Sequence, residues 1–173
     1  MEQKTNDDFM RNILIEEAWK KLSSNFSWSE TLLEKYQNCV DWNSISSNHN
    51  IQWTIPMITK FSKRINWSTF SECNNDTVLL PEVIEAFKHK WDWHELSGNP
   101  NVPFNDELLE KYADLWDWNE IIRIWRNSIY EDKGIDFYDK FQKYIPASKL
   151  QNSALWNEMV EQQMNSLIRD IIS

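Results

Sequence analysis

The sequence predicts an all-α fold: a short α-solenoid of two-helix repeats about 25 residues long, with a capping helix at each end. Three observations predict it. Tryptophans stand at positions 19, 42, 67, 93 and 118, in steps of 23, 25, 26 and 25. Around them runs a pattern of Asp or Asn, Trp, two residues, Leu, Ser, one residue and Asn, fullest at Asp92-Trp93-His94-Glu95-Leu96-Ser97-Gly98-Asn99. Between the anchors, apolar residues recur at helical spacing behind helix-starting residues. The chain of 173 residues holds only two glycines, too few for the turns of a β-sandwich or barrel. A unit this short cannot bury its own apolar face, whereas stacked units can. A compact helical bundle is the collapsed alternative.

Residues 1–26 read as the N-terminal cap. Asn6-Asp7-Asp8 can start a helix, because acids suit the positive end of the helix dipole. Phe9, Ile13, Met10 and Leu14 follow on one face, and the helix runs into the first anchor, Trp19, and Leu22.

Residues 27–121 hold the tandem repeats, each with a longer and a shorter helix. The longer helices open at Ser29, Thr54, Leu80 and Asn105. Three of these can accept a backbone N–H at the N-cap. Leu80 cannot, but Pro81 follows at the first helical position, where its missing N–H costs nothing. Trp28, Trp53, Leu79 and Phe104 precede the caps, and Leu33, Ile58, Ile84 and Leu109 stand five residues later. That is the spacing of a hydrophobic staple. An aromatic closes each helix at Tyr36, Phe61, Phe87 and Tyr112, and the anchor tryptophan follows six residues on. Asp41, Asn66, Asp92 and Asp117 then cap the short helix, which buries the tryptophan and, three positions on, Ile45, Phe70, Leu96 or Ile121. Asparagines at 25, 48 and 99 close the turn by a left-handed backbone or by bonding neighbouring backbone groups. Cys73 and Asn74 blur the third turn, and Ile122 replaces serine in the last.

Residues 122–150 read as a degenerate copy, with Pro146 near the tryptophan's place. Residues 151–173 read as a C-terminal helix from Ser153, with Trp156, Val160, Met164, Leu167 and Ile171 as an apolar stripe that caps the last repeat.

The repeat resembles the Trp-Asp-Trp-x-x-Leu-Ser-x-Asn-Pro-Asn-Ile-x-Trp units of uncharacterised tryptophan-containing tandem-repeat proteins of bacteria and large DNA viruses. The resemblance covers roughly residues 18–121. It is closest at Ile45-Ser46-Ser47-Asn48-His49-Asn50-Ile51-Gln52-Trp53 and from Trp91 through Val102. It implies no activity.

Chemistry is sparse. His89 and His94 are five apart across a helix break, and no cysteine joins them at zinc-like spacing, so no metal or other cofactor is expected. Cys39 has no His or Asn partner in a motif, so a nucleophile is not expected, and nor is an enzyme. Both cysteines read as buried thiols in a reducing compartment, and the absence of a long apolar run or a signal-like start suggests a cytoplasmic protein without a membrane segment. A net charge of −9 disfavours direct nucleic-acid binding. The period makes the tryptophans core, whereas Trp125, Tyr130 and Tyr138 lie outside the register as candidates for an exposed aromatic contact.

Charge is concentrated in residues 94–132, where nine acids face three bases and contribute −6 of the −9. Asp106, Glu110 and Asp114 fall four apart on one helix with Glu107 beside them, the candidate surface for a basic protein partner. The expected function is a non-enzymatic protein-interaction module that binds a protein partner through the solenoid surface or this acidic stripe. The alternative is an acidic antagonist, phage- or virus-linked, that blocks the nucleic-acid-binding site of a basic partner. Association that collapses with salt would mark the second.

Overall fold

The computed structural model describes residues 2–125 and 129–172, with side chains from residue 8 onward. All regular structure among the described residues is helical. It falls into two compact units, one ending at Trp91 and one beginning at Asp92.

The first unit holds α1 (Glu2–Asn25), α2 (Glu30–Tyr36), α3 (Trp42–Ser47), α4 (Ile55–Phe61), α5 (Trp67–Glu72) and α6 (Pro81–Ala86). The second holds α7 (Trp93–Gly98), α8 (Asp106–Lys111), α9 (Trp118–Ile121), α10 (Gly134–Phe141), α11 (Ala147–Leu150) and α12 (Ala154–Ile172). Alternate helices pack on one another: α1 on α3, α3 on α5, α7 on α9, and α10 on α12. Each unit is thus a short helical solenoid segment built from the repeat.

The caps are local devices, and they form where the sequence places them. Ser29, Thr54 and Asn105 accept from Leu32, Met57 and Leu108, and Leu80 makes no side-chain cap bond ahead of Pro81. Asp41, Asn66, Asp92 and Asp117 accept from Ser44, Thr69, Glu95 and Asn119. The staple residues Leu33, Ile58, Ile84 and Leu109 and the short-helix residues Ile45, Phe70, Leu96 and Ile121 are buried.

The anchor tryptophans correct the expectation. Trp42, Trp67 and Trp93 are only half-buried, and Trp118 alone is fully inside. An anchor lies over the end of the preceding long helix. Its indole N–H donates to that helix's free carbonyl end, Trp42 to Gln37 (2.9 Å), Trp67 to Ser62 (3.0 Å) and Trp118 to Ala113 (2.8 Å). Its ring packs on the closing aromatic of the next long helix, with centroids 5.3 Å apart for Trp42 and Phe61 and 5.5 Å for Trp67 and Phe87. The deeper position lies two residues earlier, where Val40, Ile65, Trp91 and Trp116 are buried.

Two polar residues join one repeat to the next. The first is the serine four after the anchor. Ser23 donates to the Trp19 carbonyl (2.7 Å) and accepts from the Asp41 N–H (2.9 Å). Ser46 does the same between Trp42 and Asn66, and Ser97 between Trp93 and Asp117. The second is a buried asparagine. Asn48 donates to the carbonyls of Ser23 (2.7 Å) and Phe26 (2.9 Å), and Asn75 to those of Asn48 (3.1 Å) and Ile51 (2.9 Å). The turn asparagines bond backbone groups and are not left-handed, with φ of −75° at Asn48 and −83° at Asn99. In the third turn this role falls to Asn75, two residues beyond Cys73.

Cys73 is buried and its thiol is pushed up to about 12, chiefly by burial. Cys39 is exposed, contrary to expectation, because it sits in the turn after α2. Pro146 occupies the N-cap of α11, leaving Ala147 in the tryptophan's place.

Both terminal helices pack on neighbouring helices, α1 on α3 and α12 on α10, but not through the faces expected. α1 begins at Glu2, not at residues 6–8, and Phe9, Met10, Ile13 and Leu14 are exposed. α12 is joined to α10 by its polar side. Glu158 accepts from the Asp132 N–H (2.9 Å), Gln162 accepts from the Ile135 N–H (3.0 Å), and Leu155 is the buried apolar contact. The fit is tight, since a Cβ on Gly134 would lie 3.1 Å from the Met159 backbone nitrogen. The stripe residues Val160, Met164, Leu167 and Ile171 therefore face outward, and only Trp156 is partly covered.

Candidate functional site

The acidic residues are not one stripe on one helix. α8 ends at Lys111, so Asp114 lies in the turn beyond it. Asp106 and Glu110 converge on Lys140 of α10, each 2.7 Å from its ammonium. The hydrogen bonds to Asp106 and then Glu110 raise the Lys140 pKa above its ordinary value. The same device occurs in the first unit, where Lys60 of α4 bridges Glu30 (3.0 Å) and Glu34 (2.8 Å) of α2. Acids one turn apart on one repeat thus meet the lysine that precedes the closing aromatic of another. Glu107 and Asp114 are exposed and stand outside that clamp.

Of the aromatic candidates, Trp125 is 76% exposed and borders a groove of about 480 Å³ with Gly98, Pro100, Glu120, Arg123 and Ile124. Tyr130 is buried and its hydroxyl donates to the carbonyls of Ile122 and Ile124, while Tyr138 is half-buried. Burial raises the Tyr130 pKa. Among the described residues no group of three or more His, Cys, Asp or Glu side chains is placed to hold a metal ion.

A site that the sequence reading missed lies at the open end of the first unit. Trp19, Leu22 and Phe26 from α1 and the turn after it, with Trp28, Leu32 and Tyr36 from α2 and the turn before it, line an apolar groove of about 350 Å³. Its walls are aromatic: Trp19 lies 5.8 Å from Tyr36, and Phe26 meets Trp28 edge-on at 5.1 Å. The repeat supplies an internal comparison. Leu22 and Phe26 are 41% and 44% exposed, while their equivalents in the next copy, Ile45 and Ile51, are 0% exposed. Leu32 and Tyr36 are half-buried, while Met57 and Phe61 are buried. The groove is therefore a repeat-stacking surface with no repeat on one side.

Comparison of the chain with protein-family models, with curated proteins and with solved structures found no match.

Proposed function

We propose that the chain is a non-enzymatic protein-interaction module that holds an apolar helix of a protein partner in the groove between α1 and α2. The observation that carries this is the exposure of Leu22 and Phe26 where Ile45 and Ile51 are sealed. Aromatic-lined grooves of this kind take the apolar face of an amphipathic helix, and contiguous exposed apolar surface marks interaction sites. Cys39 and Cys73 form no disulfide, which suits a reducing compartment such as the cytoplasm. No helix among the described residues is long and apolar enough to cross a membrane.

The test is affinity isolation from the native host with the parent and with Leu22→Glu/Phe26→Glu side by side. A partner retained by the parent and lost with the variant supports the groove. Identical recovery by both ends this reading.

The excess of acids in residues 94–132 favours a second reading, in which the chain blocks a nucleic-acid-binding site on a basic partner. Lys140 already engages Asp106 and Glu110, so the surface such a partner would meet centres on Glu107 and Asp114. Glu107→Lys with Asp114→Lys leaves the clamp intact and is the clean probe. This reading predicts slower, weaker association for that variant and a steep loss with salt. Association unchanged at both low and moderate salt would exclude it.

A further inference from the structure

The groove has a counterpart on the other terminal helix. Along α1 and just past it, Ile15, Trp19, Leu22 and Phe26 step by 4, 3 and 4. Along α12, Val160, Met164, Leu167 and Ile171 step by 4, 3 and 4 as well. At 1.5 Å per residue each line is about 16 Å long. Alternating steps of three and four are the seam spacing of two packed helices, each side chain entering a hole on the other.

The shapes differ in a way that decides the pairing. Trp19, Leu22 and Phe26 of the α1 line form one wall of a concave groove closed by Trp28, Leu32 and Tyr36, and exposed Ile15 precedes them on the same line. The α12 line is the outer edge of a helix whose polar side is committed to α10 through Glu158 and Gln162. A groove is filled by a ridge, whereas two grooves face to face leave a void.

Charge runs the same way. Lys35 stands at the groove, its ammonium 5.1 Å from the centre of the Tyr36 ring, and at 100° per residue Glu16 is the acid on the flank of the α1 line. At 100° per residue, Glu161 and Asp170 flank the α12 ridge on either side, and Arg169 falls on the opposite face.

We propose that the α12 ridge of one copy docks in the α1/α2 groove of a second copy, so that copies join head to tail. This rests on the reading of the groove as a helix-docking site. The contact is heterologous, with different surfaces on the two sides, so it continues until a ring closes or a filament grows.

The experiment is light scattering on the full chain over a range of concentrations, with two surface variants. Leu22→Glu/Phe26→Glu spoils the groove, and Met164→Glu/Leu167→Glu spoils the ridge. All four side chains are exposed, so the core is untouched, and circular dichroism checks the fold. The parent grows in mass with concentration beyond 20.9 kDa. Each variant alone stays at one chain, with self-association at least about tenfold weaker. An equal mixture of the two forms a species of two chains and stops there, because one intact groove meets one intact ridge. Glutamine versions of the same pairs give a weaker form of the same result.

A parent that is monomeric at every concentration overturns the proposal. So does a variant that keeps the parent's mass, which would mean that like surfaces pair, and so does a mixture that stays monomeric. If the parent is monomeric but the groove variant still loses a host partner, self-association fails and the docking groove stands.

Discussion

The Ser46 hydroxyl donates to the Trp42 carbonyl at 2.7 Å and accepts from the backbone N–H of Asn66 at 3.0 Å. One buried side chain therefore closes its own helix and holds the start of the short helix in the next repeat. The geometry recurs at Ser23 and Ser97. It explains the final copy, where Ile122 replaces the serine. The corresponding cap there is Pro146, which has no N–H to offer, so a hydroxyl at 122 would lack that donor.

The prediction is that Ser46→Ala and Ser97→Ala each destabilise by about 1–3 kcal/mol, the usual cost of stranding a buried polar group. Urea unfolding of each variant against the parent measures it. A change below about 0.5 kcal/mol in both, the range of ordinary surface substitutions, would mean that the bridge is ornamental.

Such bridges were only half legible in the sequence. The caps at Ser29, Asp41 and Asn105 could be read because each bond reaches three residues along one helix, so spacing alone reveals it. The Ser46–Asn66 bond spans 20 residues, and the pattern shows a recurring serine without showing what it touches. Asn75 could have been found. Asn48, Asn75 and Asn99 are each followed two residues on by Asn50, Thr77 or Asn101, whose backbone N–H the asparagine accepts. The apolar stripe of α12 was legible as a stripe, but periodicity says that a face is apolar and not which way it points. Glu158 and Gln162 settle that by bonding backbone groups at the start of α10. The Lys140 clamp escaped for the same reason, since the acids and the lysine lie on different helices.

The second prediction separates the two classes of tryptophan. Trp91 is buried, meets Phe70 face to face at 5.7 Å and Trp67 edge-on at 5.3 Å, and donates to the Ile84 carbonyl at 3.0 Å. Trp91→Ala should cost about 3–5 kcal/mol, as for other large core aromatics. Trp67 already has one side in water, so Trp67→Ala should cost clearly less. Trp67→Phe keeps most of the ring and loses the bond to Ser62, about 1 kcal/mol. Equal losses at Trp67 and Trp91, measured by denaturant unfolding, would restore the anchors as the core of the stack.

The last prediction concerns pH. His94 Nδ1 lies 2.8 Å from an Asp117 carboxylate oxygen. That hydrogen bond is the main reason the imidazolium is held above its ordinary value of 6.5, against the opposing effect of desolvation. For Asp117, burial alone would raise the carboxyl. The hydrogen bonds from His94 and Asn119 outweigh it and leave the group below 3.8. A histidine raised on folding contributes stability that is complete below its unfolded value and is lost as pH rises through the folded one. A lowered aspartate contributes stability that is complete above its unfolded value and is lost as pH falls through the folded one. The pair therefore helps most between 3.8 and 6.5, where both groups are charged. Asp117→Asn isolates the charge, because asparagine also serves as an N-cap. The parent should show a His94 titration midpoint above 6.5 by NMR, and the variant a lower one. Added salt should lower the parent's midpoint, since His94 is exposed and its charge is screened. The difference in stability between parent and variant should shrink as pH rises through the His94 midpoint. A His94 midpoint that does not move in Asp117→Asn would show that the two side chains do not pair in solution.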